Sequence, residues 1–476
     1  MASFSWAIDV DSPASACTVA VCTDPDVGRC ASGSGASTNY VLVMSDEFQK
    51  DGRKFGADDG DRLWTAQDLY YFPTQDYEVY KPEQVTTQNG AVVVTIEQKV
   101  GTAPTQQPDG SVYDVSKAFV SGMATSWNKF CYTGGYLEAS VKMPGDWFYS
   151  GFWPAIWALG NLGKAGYMQS TQGFWPYSYS ECAESGPVSW SSSPGQTVTA
   201  CPNPPADYLR RFGFQPGQGR GAPEWDMFEM SVPSSLDSSG TPDNPGPSWK
   251  PPYVSQTLQM ATLQPPGTPF MTQGVAYPGA GSSFATHRNP WQGIYGRPGN
   301  VYQDSFSAIS SLDKTFFEQF HTFAVDWAPG QHLRWLIDGQ VLFELTQQAL
   351  AAVSNATGAS VGQRLIPVEP MYLIFNLGMS DDFTPVDKFR LPFPSMFEID
   401  YLRVYQNPSA IDVGCSPKGF PTEQYIACNS DTYSLSKADD NLINAECQTS
   451  GSRRADALRT LLFALIASAA AAVLLA

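Results

Sequence analysis

Between about residues 40 and 405, the chain is a series of short stretches in which hydrophobic and polar positions alternate or apolar residues run together. These stretches are rich in β-branched and aromatic residues and are bounded by Gly, Pro, Asn and Asp, which predicts β-strands. Strands are predicted at residues 40–44, 91–97, 118–125, 136–143, 152–159, 224–230, 254–263, 321–327, 333–345, 371–377 and 396–405. Asp338-Gly339 suits a tight hairpin turn inside 333–345. Only residues 346–355 have a helical pattern.

Many strands without helical crossovers predict an all-β sandwich of two antiparallel sheets. We assign this domain to residues 37–408, after a Cys-containing N-terminal segment at 1–36. A Cys-containing extension at 409–452 and a spacer with an apolar tail at 453–476 follow it. Long loops at 160–222 and 233–252 interrupt the strands, and loops of this length in a compact domain are commonly functional or disordered.

One predicted strand carries three carboxylates within six residues, Glu224, Asp226 and Glu229. The period of two places Glu224 and Asp226 on one face, but Glu229 on the other. A β-bulge at Met227-Phe228 would return Glu229 to the face of the first two. Retaining glycoside hydrolysis requires such a pair of neighbouring carboxyl groups. The spacing alone is weak evidence, because an acidic edge strand facing solvent has the same pattern.

Composition narrows the range of partners. The net charge is −18 and the pI is near 4.5, which disfavours nucleic acid and suits a neutral polymer such as a glucan. The chain has 13 Trp and 22 Tyr, as expected where aromatic faces stack on sugars, although core packing is the commoner use. No cofactor is predicted.

The nine cysteines indicate disulfides in an oxidising compartment. None forms a CxxC pair and the chain has only three histidines, so no metal site is predicted; His321 and His332 lie outside any nucleophile motif. An odd number of cysteines leaves at least one thiol free or without its partner, and spacing does not give the pairing. Disulfide candidates are Cys182, Cys201, Cys415 and Cys428. The sequon at Asn355 predicts glycosylation in the secretory pathway.

The two ends of the chain carry different targeting signals. Residues 1–11 lack the basic and apolar regions of a signal peptide, so we expect the true N-terminus to lie upstream. Small residues at 450–452, a polar spacer and an apolar tail at 461–476 predict a glycolipid (GPI) anchor signal, and hence a membrane-anchored protein at the cell surface. The alternative is a transmembrane tail. The arginines in the spacer would then place the domain in the cytosol, against the cysteines and the sequon.

Several sequence blocks resemble the β-glucan synthesis-associated proteins of fungal cell walls, a branch of glycoside hydrolase family 16. They are LWTAQDLYYF (63–72), WNKFCYTGGYLEASVKMPG (127–145), GFWPAIWALGNLGKAGY (151–167), GFWPYSYSEC (173–182), GRGAPEWDMFE (219–229), SQTLQMA (255–261), VEPMYLIFNLGMS (368–380), IDYLRVYQ (399–406) and CSPKGFPTEQYIAC (415–428). The blocks follow in order from about residue 40 to 430, and several are characteristic of this branch.

The resemblance implies a concanavalin-like β-jelly-roll sandwich, with the sugar lying in a cleft across its concave face. It further implies Glu224 as nucleophile, Asp226 as helper and Glu229 as acid/base. Trp225 and Met227 stand where the family usually has aliphatic residues. Both point away from the carboxylates on a strand, so this departure concerns packing and leaves the chemistry intact.

Five further residues are candidates for binding sugar. Trp153 and Trp157 share one strand face, where stacking on glucose and core packing are both open. Trp175 lies in the long loop and is expected to form a sugar platform, with packing of the loop as the alternative. Gln259 and Asn376 match positions that contact substrate in related glucanases, although a lone Asn in an apolar strand is more often structural.

Together these features predict a retaining β-glucan hydrolase or transglycosylase that acts on β-1,3- or β-1,6-glucan. A catalytically idle glucan-binding or assembly factor is the alternative, and the intact carboxylate triplet favours the enzyme. Hydrolysis and transfer share the same glycosyl-enzyme intermediate, so the sequence does not distinguish them.

Overall fold

Two large β-sheets packed face to face form the body of the protein. The structure is a computed structural model that describes residues 7–8, 18–22, 37–178, 211–215, 218–233, 250–261, 271–291, 305–354, 356, 358, 360–443 and 445–447. The two sheets and their mainly antiparallel pairing confirm the predicted all-β jelly-roll sandwich.

The described strands are numbered in chain order. They are β1 Ala7–Ile8, β2 Thr18–Cys22, β3 Ser37–Asp46, β4 Thr65–Ala66, β5 Glu78–Tyr80, β6 Val85–Gln88, β7 Ala91–Ile96, β8 Gly101–Gln106, β9 Val112–Lys117, β10 Phe119–Ser121, β11 Met123–Thr125, β12 Cys131–Tyr132, β13 Gly135–Lys142, β14 Trp153–Gly160, β15 Glu224–Ser231, β16 Tyr253–Gln259, β17 Val275–Ala276, β18 His287–Arg288, β19 Ser305–Ser311, β20 His321–Ala328, β21 His332–Ile337, β22 Gln340–Thr346, β23 Val353–Ser354, β24 Ser360–Val361, β25 Met371–Gly378 and β26 Ser395–Gln406. Short α-helices span Met168–Thr171, Thr315–Glu318, Glu423–Cys428 and Lys437–Asp440, and 3-10 turns span Phe72–Thr74, Pro82–Gln84, Pro278–Gly281, Gln347–Leu350 and Ser430–Tyr433.

We call the two sheets the front sheet and the back sheet. The front sheet has the order β18-β19-β16-β15-β14-β25-β11-β4, with β12 also paired to β25. The back sheet has the order β1-β3-β26-β13-β20-β21-β22-β17, with β2 beside β3, and β7 and β6 beside β26. The strand with the three carboxylates, β15, lies near the middle of the front sheet.

The strand predictions are confirmed, with small shifts at the ends. Residues 118–125 form two strands, β10 and β11, and residues 333–345 form the hairpin β21–β22. Asp338 and Gly339 make its turn with φ of 48° and 74°, the left-handed conformation that a two-residue hairpin turn requires. The helix predicted at 346–355 is wrong. A 3-10 turn covers only Gln347–Leu350, and β23 follows, because Ala351 leaves the helical region with ψ of 158°.

Alternation along the central strands fills the space between the sheets. On β14, Ile156 and Ala158 face inward, and on β25, Leu373 and Phe375 do the same. Inward-facing partners from the back sheet are Leu137, Ala139, Val325, Trp327, Trp335, Leu402 and Val404. The opposite positions of the front-sheet strands therefore point to its outer face, where the candidate site lies.

A second hydrophobic cluster, which we call the outer cluster, covers one end of that outer face. Its members come mainly from the front sheet and the turn between β11 and β12, from the 162–177 segment, from residues 212, 214 and 222, and from the chain after residue 414. They include Trp127, Leu159, Leu162, Phe174, Tyr177, Phe212, Tyr372, Ile426 and Tyr433. The rings of Trp127 and Tyr433 stack with centroids 5.6 Å apart. The segment predicted as an extension, 409–452, thus packs onto the sandwich over its described part.

One disulfide and a buried ion pair fasten this C-terminal segment to the sandwich, and a second disulfide lies within the segment. Cys131 on β12 is bonded to Cys415, and Cys428 is bonded to Cys447. The predicted candidates Cys415 and Cys428 are therefore both in disulfides, although not with each other. Cys182, Cys201, Asn355 and the tail 453–476 lie outside the described residues.

The ion pair joins Lys164 Nζ to Asp439 Oδ1 at 2.8 Å, with both side chains largely covered. Lys164 also donates to the carbonyl of Tyr433, and the hydroxyl of Tyr167 donates to the same Asp439 oxygen at 2.6 Å. Burial lowers the pKa of Lys164 to about 8, and the charge of Asp439 opposes that shift. Removing one member of a buried pair leaves the other charge without compensation.

We expect Lys164→Met to lower the free energy of unfolding by about 3 kcal/mol, because it leaves Asp439 buried without its cation. Lys142→Met is the matched control, since Lys142 pairs with Glu398 at 2.6 Å while both side chains remain about a quarter exposed. Its loss should stay below about 1 kcal/mol. Urea denaturation of both variants measures the difference. Equal losses would show that the pair beneath the C-terminal segment contributes no more than a surface pair.

Candidate active site

The predicted β-bulge is present on β15. Against β14, Trp157 pairs with Asp226 and Ile156 pairs with Phe228, so Met227 has no opposite residue. Against β16, the register also shifts between Asp226 and Glu229. The shift changes the face of Glu229, and the three acidic side chains share the outer face while Trp225, Met227 and Phe228 enter the core.

The core provides a hydrogen bond for the backbone at this bulge. Trp335, on β21 of the back sheet, donates its indole N–H to the carbonyl oxygen of Asp226 at 2.7 Å. A bulge disrupts the ladder locally, and a buried carbonyl without a donor would cost free energy. The bond therefore ties the break in register to the opposite sheet.

The three carboxyl groups form one electrostatic cluster. Burial raises the pKa of Glu224 to about 8, with a further rise from the charge of Glu229. Burial also raises the pKa of Glu229 to about 7. The pKa of Asp226 is raised well above its usual range by burial and then by both glutamates. Like charges held this close keep at least one proton in the cluster near neutral pH.

Each glutamate accepts a hydrogen bond from a predicted tryptophan. Trp175 Nε1 lies 2.7 Å from Glu224 Oε2, and Trp153 Nε1 lies 3.1 Å from Glu229 Oε1. Trp175 is 40% exposed, which is unusual for a tryptophan beside a buried carboxyl group. The ring of Trp153 stacks on Phe383 with centroids 4.2 Å apart. The structure thus places the predicted sugar platform Trp175 directly against a carboxylate.

The remaining predicted residues also lie on the outer face. Trp157 is buried and donates its indole N–H to Asn376 Oδ1 at 2.9 Å, so packing and this bond account for its position. Asn376 in turn donates to the hydroxyl of Tyr80 at 3.2 Å. Gln259 lies beside Asp226 and favours the charged form of that carboxyl. Asp226 Oδ2 has no hydrogen-bond partner within the part of the chain that is described.

Several residues at the site were not predicted. The hydroxyl of Ser255 lies 3.3 Å from Glu229 Oε2, and Tyr71 lies close enough to Glu224 for that charge to raise its pKa. Both lie in sequence blocks that carry the family resemblance, and this was the one feature of the sequence that could have identified them as site residues. A buried acidic pair, Asp76 and Glu78, lies beside Tyr80. Burial raises the pKa of Asp76 to about 7.

The chain entering β15 is fixed by a second buried ion pair. Arg220 makes two bonds to Glu369, at 2.8 Å and 2.9 Å, and the amide of Gly221 donates to the same carboxylate. A Cβ at Gly221 would lie 1.9 Å from the carbonyl oxygen of Tyr177, so only glycine fits there. This close approach holds the 174–177 segment against the start of the carboxylate strand.

Within the described residues, no group of three or more His, Cys, Asp and Glu side chains is arranged to hold a metal ion. The chemistry that the cluster itself offers is proton transfer and nucleophilic attack by carboxylates. A β-sandwich with clustered carboxylates and tryptophans on one face is typical of proteins that bind or cleave polysaccharides.

Comparison with known proteins identifies the family to which the chain belongs. Residues 14–443 match the family described as "Beta-glucan synthesis-associated protein SKN1/KRE6/Sbg1", and the chain belongs to this family. It is 35% identical over 421 residues to the KRE6 protein of Candida albicans, covering 85% of this chain and 51% of that protein. It is 32% identical over 420 residues to KRE6 of Saccharomyces cerevisiae, covering 85% and 52%. The chain thus spans about half the length of these relatives.

Solved structures with a similar arrangement of strands include the following two. One is the catalytic domain of an endo-1,3-β-glucanase from Thermotoga petrophila, with 19% identity, a TM-score of 0.43 and coverage of 78% of this chain and 99% of that chain. The other is LamA of Z. galactanivorans, solved with laminaritriose and laminaritetraose, with 17% identity, a TM-score of 0.42 and coverage of 77% and 98%. Shared activity does not follow from likeness at this level.

The disulfides are consistent with folding in the secretory pathway. Among the described helices, none has the length and apolar character needed to cross a membrane.

The raised pKa of Asp226 predicts that this carboxyl group lowers the free energy of unfolding by an amount that depends on pH. A carboxyl group with a raised folded-state pKa stabilises the fold below its unfolded value, 3.8, and loses that contribution as the pH rises towards the folded value. We therefore expect Asp226→Asn to raise the free energy of unfolding by about 1 to 2 kcal/mol at pH 8 and to leave it unchanged at pH 3.5.

Asp58→Asn removes the same charge from an exposed position and serves as the control. Denaturant titrations of both variants at the two pH values measure the effect. If Asp226→Asn raised the free energy of unfolding equally at both pH values, the effect would not come from ionisation of Asp226.

Proposed function

We propose that this protein is a retaining glycosidase or transglycosylase that acts on β-glucan through the carboxylates of β15. The observation that carries the proposal is the bulge, which gathers Glu224, Asp226 and Glu229 on one outer face with different hydrogen-bond partners. Glu224 acts as nucleophile, Glu229 as acid/base, and Asp226 as the neighbour that keeps a proton in the cluster.

In the first step, a carboxylate oxygen of Glu224 attacks the anomeric carbon while the glycosidic C–O bond breaks. The proton of Glu229 passes to the departing oxygen, which leaves as a sugar hydroxyl, and an ester joins the glycosyl group to Glu224. In the second step, Glu229 removes a proton from water or from an acceptor hydroxyl, and that oxygen displaces Glu224. Water gives hydrolysis and a sugar hydroxyl gives transfer.

Membership of a β-glucan synthesis-associated family supports a β-glucan substrate. The chain's negative charge suits a neutral polymer, and the exposed Trp175 and the partly exposed Trp153 suit stacking on a pyranose. The experiment below determines which linkage is used, β-1,3 or β-1,6, and the ratio of hydrolysis to transfer.

The test incubates the full chain with defined β-1,3- and β-1,6-linked oligosaccharides and sizes the products. We expect shorter products from hydrolysis, longer products from transfer, or both, and a loss of at least a hundredfold in Glu224→Gln. Glu83→Gln is the control, because Glu83 is an exposed glutamate far from β15 in the sequence, and this variant should retain activity. Binding without any change in product length would instead favour the alternative, a glucan-binding assembly factor.

The two roles can be tested separately. A mechanism-based fluorosugar should label Glu224, because the ester of the first step forms there. Glu229→Ala should be slowest on substrates with poor leaving groups and should be partly rescued by azide, which needs no general base. Labelling of another carboxylate would overturn the first assignment, and absence of rescue would overturn the second.

We also propose that the apolar tail at 461–476 is replaced by a glycolipid anchor near residues 450–452. A phosphatidylinositol-specific phospholipase should then release the protein from membranes isolated from expressing cells. Protein that stays membrane-bound after this treatment, with the tail peptide detected by mass spectrometry, would show a transmembrane tail instead.

A further inference from the structure

The two glutamates differ in the chemistry of their hydrogen-bond partners. Glu224 Oε2 faces the indole N–H of Trp175 at 2.7 Å. An indole nitrogen carries a hydrogen and has no lone pair to offer, so it can only donate. A carboxylate oxygen satisfies this partner better than the O–H of a carboxylic acid does, because hydrogen bonds to a charged acceptor are the stronger ones.

Glu229 has a partner that can both donate and accept. The hydroxyl of Ser255 lies 3.3 Å from Glu229 Oε2 and 3.4 Å from the backbone carbonyl oxygen of Glu229. When Ser255 donates to that carbonyl, its lone pairs can accept the proton of Glu229 as a carboxylic acid. The indole of Trp153, at 3.1 Å, bonds the other oxygen, Oε1. The surroundings of Glu229 therefore accommodate the protonated form.

We propose that the indole N–H of Trp175 holds Glu224 as the ionised carboxylate of the cluster, and so makes Trp175 a positioning residue for the nucleophile. This inference rests on the proposed function. It assigns to Trp175 a role through its N–H group, in addition to any stacking of its ring on a sugar.

The backbone fixes Trp175 relative to Glu224. The amide of Ala222 donates to the carbonyl of Phe174 at 2.9 Å, so the residue before Trp175 is bonded to the residue two positions before Glu224. Gly221 allows the carbonyl of Tyr177 to approach on the other side of Trp175. Trp175 is 40% exposed, so the backbone contacts at Phe174 and Tyr177 position it more than burial in the core does.

Burial alone does not decide which glutamate ionises first. The pKa of about 8 for Glu224 already includes the lowering by the bond from Trp175, and the pKa of about 7 for Glu229 includes the lowering by Trp153 and Ser255. Removing the donor of Trp175 therefore raises the pKa of Glu224 further, and turning the hydroxyl of Ser255 towards the backbone carbonyl raises the pKa of Glu229. The donor from Trp175 has no such alternative.

Other ionisable groups face Glu224. They are Asp226 and Glu229 on its own strand, Tyr71 on the segment after β4, and Tyr372 on β25. Burial raises the pKa of both tyrosines, so they remain neutral across the working range. The titration seen by Trp175 is therefore that of the carboxylates.

The first experiment needs no enzymatic turnover. Tryptophan labelled with ¹⁵N gives one indole signal for each ring, and the Trp175 signal is assigned by its loss in Trp175→Phe. We expect this signal to shift with pH in the wild-type chain, to lose that shift in Glu224→Gln, and to keep it in Glu229→Gln with a lower midpoint. A signal that still titrates in Glu224→Gln overturns the proposal.

The second experiment compares the pH dependence of kcat/KM in Trp175→Phe and Trp153→Phe, which keep an aromatic ring and remove the N–H. Loss of the donor to Glu224 raises the pKa of the nucleophile, so Trp175→Phe should move the acidic limb upward by about one to two pH units. Trp153→Phe should move the alkaline limb and leave the acidic limb in place. An unmoved acidic limb in Trp175→Phe overturns the proposal. If the wild-type chain shows no turnover but its Trp175 indole signal still titrates, the proposed function is wrong. The inference that Trp175 stabilises the ionised Glu224 would then still stand.

Discussion

A buried hydrogen bond between the two sheets, from the indole of Trp335 to the carbonyl of Asp226, holds the point where the front sheet changes register. Without the bulge that leaves Met227 unpaired, the period of a strand would turn Glu229 into the core. An ion in that apolar space would cost far more than the bulge does. The arrangement of the candidate site therefore depends on the core behind it as much as on the acids themselves.

The same site works against the stability of the fold. Three carboxyl groups are held together under cover, and the shared proton is the result of their repulsion and desolvation. Such an arrangement persists only if the rest of the structure compensates for it. Here the compensation comes from a continuous core between the sheets and from the outer cluster, which presses the 162–177 segment and the C-terminal segment onto one end of the front sheet.

Sequence reasoning predicted the features that follow from local periodicity. The central strands and the bulge on β15 follow from which face each side chain must take, and the turn at Asp338-Gly339 follows from a dipeptide that tolerates positive φ. Contacts made by irregular segments have no period to reveal them. The bond from Trp175 to Glu224, the bond from Asn376 to Tyr80 and the partners of the cysteines arise only when segments separated in the sequence meet. At 346–355, the residues have helical propensity, but the pairing of β23 with β24 ends the helical turn at Leu350.

The position of β25 and β26 in the sheets bears on how the protein is made. Residues 371–378 form an interior strand of the front sheet, and residues 395–406 pair with β13, β3 and β7 in the back sheet. The front sheet cannot close before residue 378 has been synthesised, the back sheet cannot close before residue 406, and Cys131 has no partner before residue 415. The carboxylates on β15 are thus synthesised well before the strands that gather them, so the candidate site assembles late.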